Sequence, residues 1–234
     1  MTGTLYGIGV GPGDPELMTL KAHRLITAAK VVAYPAPDSG ESFARAIAAS
    51  AIPAGAEEIP MVVPMRPGRF SAQGVYAGAA ERIAAHLDAG TDVAVLCEGD
   101  PFFYGSFMYL HARLARRFPI EIVPGVCSLT ACAAALKRPL TARNDVLTVL
   151  PAPLPDAELK ARIEAAQAIA IMKVGRHLGR IRALLAEMGL TANAGYVERA
   201  SLGAEKVCPL AEAPDKAPYF SMILIYRGDD PWLN

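Results

Sequence analysis

The chain has 234 residues, 53% of them hydrophobic, enough for one large buried core or two smaller ones. Its 23 basic and 23 acidic side chains leave a formal net charge of zero, which argues against a protein that coats nucleic acid or an anionic membrane, though a local basic cleft for an acidic small molecule stays open. No apolar run approaches the ~18 residues of a membrane span, no basic leader precedes Leu5, and Cys97, Cys127, Cys132 and Cys208 have neither C-x-x-C spacing nor a nearby His, so the expectation is a cytoplasmic protein with reduced thiols and no metal, membrane or nucleic-acid partner.

In chain order, Leu5 to Val10 reads as a strand that runs into a Gly/Pro cluster. Ala22, Leu25, Ile26 and Ala29 recur at helical spacing, and Lys30 to Tyr34 is a second apolar run stopped by Pro35 and Pro37. A helix is predicted around Phe43 to Ala51. Val75, Ala79, Ile83 and Leu87 form the next helical stripe, closed by Gly90. Val93 to Cys97 is a continuous apolar run, the mark of a strand buried on both faces, followed by a helix over Tyr104 to Arg117 and a strand over Ile120 to Val123. This alternation predicts a mostly parallel α/β sheet.

The remainder has a different texture. Val146 to Leu150, Ala168 to Val174, Gly195 to Ala200 and Tyr219 to Tyr226 read as strands, and Leu178 to Met188 as a helix ending at Gly189. The stretch from Leu202 to Pro218 is too short and proline-broken for helical crossovers, which predicts some antiparallel pairing and a mixed sheet. The expected division is into two closely packed α/β domains, 1–123 and 124–234.

Four segments have residues that could carry chemistry. Gly7-Ile8-Gly9-Val10-Gly11-Pro12-Gly13-Asp14-Pro15 follows the first strand, where glycines let a backbone approach a ligand. Pro12 stands where a dinucleotide site needs an amide, and the second strand ends in Tyr34-Pro35 with no acidic residue for a ribose, so a plain tight turn is the simpler reading. Cys97-Glu98-Gly99-Asp100-Pro101-Phe102-Phe103-Tyr104 lies at the end of the most buried strand; its acidic pair suits a cationic ligand and its aromatics an apolar wall, unless Asp100 caps a helix and the rings are core. Val123-Pro124-Gly125-Val126-Cys127-Ser128 is again strand, turn and helix, with Ser128 as a cap or a ligand contact and Cys127 as a small buried residue. Ile171-Met172-Lys173-Val174-Gly175-Arg176-His177 leaves a strand with a core methionine and surface cations. His23, His86, His111 and His177 share no metal spacing.

Taken in this order, G-x-G-P-G-D-P-E-L-M-T-L, E-G-D-P-F-F-Y, V-P-G-V-C-S and M-K-V-G-R-H resemble the tetrapyrrole methylase family, the class III S-adenosylmethionine-dependent methyltransferases, from Leu5 to about Tyr226. Ser106 to His111, Pro139 to Thr141 and Met172 to Leu178 are similar to the branch that methylates C20 of precorrin-2 in cobalamin biosynthesis. The resemblance implies a two-domain fold with S-adenosylmethionine in the cleft between the domains, S-adenosylhomocysteine as product, a tetrapyrrole substrate and a homodimer. By motif position, Pro12, Gly99, Asp100, Phe103, Cys127 and Ser128 would line the cofactor, Met172 would pack near its adenine and Ala200 would approach it by backbone. Cys127 stands where relatives often carry Thr and offers no hydroxyl. Relatives that methylate uroporphyrinogen carry an Asp soon after the second strand as a proposed base; Tyr34-Pro35-Ala36 has none. Tyr104, His111 and water remain as acceptors for the C20 proton, and Arg69, Arg143, Lys173 and Arg176 as holders of substrate carboxylates. A cobalt-loaded substrate, cobalt-factor II, is the alternative. A non-catalytic module would bind the cofactor without turnover, and a relative acting on RNA would favour a basic surface.

Overall fold

A computed structural model of the chain describes residues 1–63 and 69–228, without the side chains of residues 69–72. It forms two compact units, Met1–Cys127 and Ser128–Asn234. In the first, the strands β1 (Leu5–Gly9), β2 (Val31–Ala36), β3 (Glu57–Val62), β4 (Val93–Cys97) and β5 (Ile120–Val123) are all parallel, in the order β3-β2-β4-β1-β5. Ile8, Val32, Ala94 and Leu96 pack under α1 (Leu20–Thr27) and α2 (Phe43–Ile47), while Leu5, Ala33, Val95 and Cys97 pack under α3 (Arg69–Asp88) and α4 (Phe107–Leu114). With strands on both sides and helices on both faces, β4 is buried at every position, which is why its sequence is apolar without alternation.

The connections place a ligand crevice. β1 leads through α1 on one face to β2, whereas its neighbour β4 leads through α4 on the opposite face to β5. The carboxyl ends of β1 and β4 are therefore a topological switch point, where open α/β sheets bind ligands. Local chemistry fixes the helix ends. Thr19 Oγ1 accepts the Ala22 amide at 3.1 Å to cap α1. Gly90, at φ +79°, closes α3 with the Thr91 amide donating to the His86 carbonyl at 2.9 Å.

Several sequence expectations need correction. β2 does not stop at Pro35 but runs on to Ala36; β4 pairs with it only as far as Ala33, and a strand bonded on one side tolerates proline. α2 ends at Ile47, short of Ala51, and α4 begins at Phe107 rather than Tyr104, whose φ of +56° is incompatible with a helix. β3 falls where no element was expected. It alternates correctly, with Ile59 and Met61 buried, but two glutamates and Pro60 mask the pattern.

β3 also anchors a polar network. The Tyr34 hydroxyl donates to Glu58 at 2.7 Å, and the Arg45 guanidinium binds both Glu58 oxygens at 2.6 and 2.8 Å. The Arg45 and Tyr34 hydrogen bonds hold the Glu58 carboxyl below its ordinary value of 4.5. A carboxyl depressed by folding contributes stability above its unfolded pKa that is lost as pH falls through the folded one. Glu58→Gln is therefore expected to flatten the stability loss below about pH 4.5 in urea titrations, by up to about 1 kcal/mol because the group is partly solvated. An unchanged acid slope would contradict the assignment.

In the second unit, β6 (Leu147–Pro151), β7 (Ala168–Met172), β8 (Ala194–Glu198), β9 (Lys206–Pro209) and β10 (Ser221–Tyr226) lie in the order β6-β7-β10-β8-β9. β6 and β7 are parallel, and β10 is antiparallel to both β7 and β8, as is β9 to β8. The mixed sheet packs α6 (Asp156–Glu164) and α7 (Leu178–Glu187) against Ile169, Ile171, Tyr196, Ile223 and Ile225. α5 (Ser128–Leu136) crosses β8 by placing Leu136 over Gly195. α6 and β9 were not expected, and β7, β8 and β10 are shorter than their apolar runs. Among the described residues no helix is long and apolar enough to cross a membrane.

Candidate functional site

The three glycine-bearing turns of the first unit meet at the switch point. A Cβ on Gly9, at the end of β1, would stand 2.5 Å from the Gly99 carbonyl oxygen and 2.7 Å from the Gly125 Cα and amide nitrogen. One on Gly125, after β5, would strike the same Gly99 carbonyl and lie 2.9 Å from Gly9 Cα. Only residues without a side chain allow three backbones this close. The first two turns are also paired, the Gly99 amide donating to the Gly11 carbonyl at 2.8 Å, with Gly11 at φ +88° and Gly99 at φ +63°. Pro12 is half-buried beside this pairing.

Asp100 locks the junction. Its Oδ1 accepts the Phe102 and Phe103 amides at 2.9 and 3.1 Å, and its Oδ2 accepts the Gly125 amide at 3.1 Å. Neither sequence reading of Asp100 included this role: the carboxylate organises its own loop and ties it to the next one, and α4 begins farther on. The Ser106 that precedes α4 makes no side-chain cap. The dinucleotide reading fails on geometry as well as on Pro12. Asp14 caps a 3₁₀ turn over Pro15–Leu17 through the Glu16 amide at 2.9 Å, and α1 starts only at Leu20, so no helix N-terminus opens directly from the glycine turn.

Beyond Asp100 the loop exposes aromatic surface. Phe102 and Tyr104 are 47% and 45% exposed, while Phe103 is half-buried and meets Tyr104 edge-on at 5.3 Å. The core reading of these rings holds for neither Phe102 nor Tyr104. His111 stacks edge-on to Phe102 at 5.2 Å and is half-buried. Behind the loop, Tyr76 packs on Tyr109 with centroids 5.0 Å apart. Burial pushes the Cys97 thiol and the Tyr76 hydroxyl up, so both stay protonated at neutral pH. Glu98 is also pushed above the ordinary carboxylate range by burial, against the opposing effect of its own amide and that of Ala44. Sequence reasoning grouped Glu98 with Asp100 as an acidic pair and gave it no role of its own. Cys127 is half-buried rather than buried, and Ser128 is the first residue of α5 rather than the cap before it.

In the second unit, Met172 and Ala200 come to the same end of the sheet. Met172 pairs with Met222 at the end of β7, and Glu198 at the end of β8 pairs with Ser221. Lys173 (φ +58°), Arg199 (φ +51°) and Ser201 (φ +65°) are left-handed at this rim, and such strain gathers where a backbone is shaped for a ligand. The turn is held from below. Glu198 is only 2% exposed, accepts the Tyr196 hydroxyl at 2.6 Å and pairs with Arg199 at 3.2 Å, while the Arg199 amide donates to the Phe220 carbonyl at 2.9 Å. The Gly175 amide donates to Ser221 Oγ at 3.2 Å, fixing the turn after β7.

Of the four basic candidates, Arg143, Lys173 and Arg176 belong to the second unit and Arg69 to the first. Lys173 is half-buried on the strained rim, Arg176 is exposed beside it, and Arg143 is exposed with φ +41°. The side chain of Arg69 lies outside the described residues. Arg180 binds the Ala152 and Leu154 carbonyls and the Asp156 carboxylate, a structural role. Burial and the flanking Arg180 and Arg176 charges lower the His177 pKa. Among the described residues no group of three or more His, Cys, Asp or Glu side chains could hold a metal.

Residues 4–214 match the family model for Tetrapyrrole (Corrin/Porphyrin) Methylases. The chain is 44% identical over 232 residues to a Precorrin-2 C(20)-methyltransferase from a Sinorhizobium species, covering 95% of each chain. It is 47% identical over 235 residues to the Cobalamin biosynthesis protein CobIJ of Mycobacterium tuberculosis (strain H37Rv), covering 97% of this chain but 46% of that protein, so it spans about half the length of that relative. A Cobalt-precorrin-2 C(20)-methyltransferase from Salmonella typhimurium is 32% identical, with 97% and 98% covered. Among solved structures, a uroporphyrin-III C-methyltransferase from Thermus thermophilus complexed with S-adenosyl homocysteine matches 95% of this chain and 97% of its own, with a TM-score of 0.68 and 27% identity.

Proposed function

Since the chain belongs to the tetrapyrrole (corrin/porphyrin) methylase family, we propose that it transfers the methyl group of S-adenosylmethionine to C20 of precorrin-2, giving precorrin-3A and S-adenosylhomocysteine in cobalamin biosynthesis. The observation that carries this reading is the 44% identity to a Precorrin-2 C(20)-methyltransferase over 95% of both chains. A cobalt-loaded substrate is the second reading, favoured by the 32% identity to the cobalt-precorrin-2 enzyme over almost the full length of both.

The residues present suit this donor. At the switch point the glycine junction leaves a backbone cradle that any Cβ would fill, and Asp100 already holds that cradle in shape. Pro12, Gly99, Asp100, Phe103, Cys127 and Ser128, with Met172 and Ala200, are the proposed contacts of S-adenosylmethionine. When bound, it supplies a methyl group on a sulfonium that is already electrophilic. The chain's own task is then to orient C20 in line with that methyl and exclude water, an alignment worth about 7–11 kcal/mol of barrier. The exposed Phe102 and Tyr104 rings would lie against the flat macrocycle, and Arg69, Arg143, Lys173 and Arg176 would hold its carboxylates. A homodimer in the cytoplasm completes the proposal.

The test is an anaerobic assay with labelled S-adenosylmethionine and freshly generated precorrin-2, run beside its cobalt-loaded counterpart. Turnover of the metal-free substrate is the expected result. Turnover of the cobalt form alone would replace the first reading with the second, and turnover of neither would overturn both.

A further inference from the structure

Among the described residues Glu198 is the one fully buried charged side chain, and it directly precedes a turn whose backbone is left-handed at two positions. β10 starts where β7 and β8 end, so Ser221, also buried, stands beside Glu198 in register. The Tyr196 hydroxyl donates to one Glu198 oxygen at 2.6 Å, while Arg199 Nη1 and Lys206 Nζ lie 3.2 and 3.6 Å from the other. Burial and the bond to Glu198 push the Tyr196 hydroxyl up, so it stays a donor at neutral pH. The residues that follow close on themselves. The Leu202 amide donates to the Arg199 carbonyl at 3.0 Å, and the Ser201 amide to Glu205 Oε2 at 2.6 Å. Arg199 and Ser201 flank Ala200 at φ +51° and +65°, and neither is glycine. Side chains of this kind keep such a conformation only where their surroundings impose it. A fold that needed stability alone would fill the place of Glu198 with an apolar side chain, since a buried charge pair rarely outweighs its lost hydration.

We propose that Glu198 is a positioning residue for the methyl donor: by gripping Tyr196 within the sheet and Arg199 at the turn, it holds the Ala200 backbone in the shape that meets S-adenosylmethionine. The inference rests on the methyltransferase reading above and on Ala200 as one of its proposed contacts. Glu198 acts through its neighbours, not on the reacting atoms. It pairs with the Arg199 guanidinium while the Phe220 carbonyl accepts the Arg199 amide at 2.9 Å, so the residue before Ala200 is held by both side chain and backbone. The turn after β7 joins the same frame, the Gly175 amide donating to Ser221 Oγ at 3.2 Å. A backbone contact made alike before and during methyl transfer lowers KM and leaves kcat as it is. Loss of the grip should therefore appear in donor affinity and not in the chemical step.

The experiment measures S-adenosylhomocysteine binding by calorimetry, steady-state kinetics with precorrin-2 and thermal melting for wild type, Glu198→Gln, Arg199→Gly and the double variant. Glu198→Gln keeps the shape and an acceptor but loses the charge. It is expected to weaken S-adenosylhomocysteine binding and raise the KM for S-adenosylmethionine on the order of tenfold, the size of one charge-assisted hydrogen bond. Its kcat at saturating donor should stay within about threefold of wild type. Arg199→Gly is the decisive background, because glycine takes a positive φ without strain and needs no grip. In it, Glu198→Gln should cost less than about threefold in affinity, a coupling that the double-mutant cycle reads directly. Glu198→Asp, with the charge on a shorter arm, should recover part of the wild-type affinity, and it carries the same cycle if Glu198→Gln folds poorly. Unchanged affinity in Glu198→Gln would overturn the proposal. So would Tm, kcat and affinity falling together, with equal losses in both backgrounds, the mark of a residue that only fills the core. Calorimetry needs no tetrapyrrole. A wild type that binds S-adenosylhomocysteine without methylating precorrin-2 would therefore fail the substrate reading while the cycle still decides on Glu198, and a wild type that does not bind it would fail both.

Discussion

Gly9→Ala should destabilise the protein by about 4 kcal/mol or more and abolish S-adenosylhomocysteine binding. The added methyl would lie 2.5 Å from the Gly99 carbonyl oxygen and 2.7 Å from both the Gly125 Cα and nitrogen. All three atoms belong to backbone, so no side chain can rotate away. Relief would need β1 to separate from the turns that follow β4 and β5, and β1 is paired with both of these strands. The control is Gly74→Ala in α3, where nothing lies within 4 Å of the new Cβ and helix propensity favours alanine by up to about 1 kcal/mol. Urea unfolding of the two variants, with calorimetric titration of S-adenosylhomocysteine, separates the effects. A Gly9→Ala protein within 1 kcal/mol of wild type would show that the three turns do not need their close approach.

Asp100→Ala is the next most damaging change. It removes the acceptor of three backbone amides at 2.9, 3.1 and 3.1 Å, two in its own loop and one in the turn after β5. An orphaned donor costs about 1–3 kcal/mol when water cannot replace the partner. Since this loop is partly solvated, the expected total is about 2–4 kcal/mol, with cofactor affinity down at least tenfold. Asp100→Asn should fall between wild type and Asp100→Ala, because one oxygen remains while the new NH2 must face an amide. If Asp100→Ala lost affinity without losing stability, the carboxylate would serve the ligand alone and would not lock the junction.

The parts of this molecule that sequence revealed are those where local pattern and tertiary role coincide. β4 is buried on all sides, so its apolar run needed no context, and the α3 stripe ends at a glycine whose positive φ makes the stop unavoidable. β3 and β9 were hidden for a common reason. Exposed or paired polar side chains alternate with few apolar ones, and Pro60 and Pro209 suggest breaks where the sheet tolerates them. α6 is highly polar along its exposed side, and only Leu159 and Ile163 turn to the core. Tyr104 illustrates the opposite error. The helical pattern after it is real, but a left-handed residue postpones α4 to Phe107.

At the site, the motifs were legible as segments and their convergence was not. Nothing in the spacing of Gly9, Gly99 and Gly125 says that their backbones touch; strand order decides that. The same holds for Asp100, whose acceptor role depends on a turn that follows a different strand. Glu98 is the clearest case. Beside Asp100 in sequence it reads as half of an acidic pair, yet in space the two part company, Asp100 accepting the amides of its own loop and of the turn after β5 and Glu98 facing its own amide and that of Ala44 in the first turn of α2.

The measurement that bears most directly on the account is the position of the transferred carbon. The purified chain would be incubated anaerobically with precorrin-2 and S-adenosylmethionine labelled with ¹³C in its methyl group, and the product examined by NMR. The expected result is one new labelled methyl resonance, attached to C20, with one equivalent of S-adenosylhomocysteine formed. Label on any other carbon, or S-adenosylhomocysteine formed without label in the macrocycle, would contradict it.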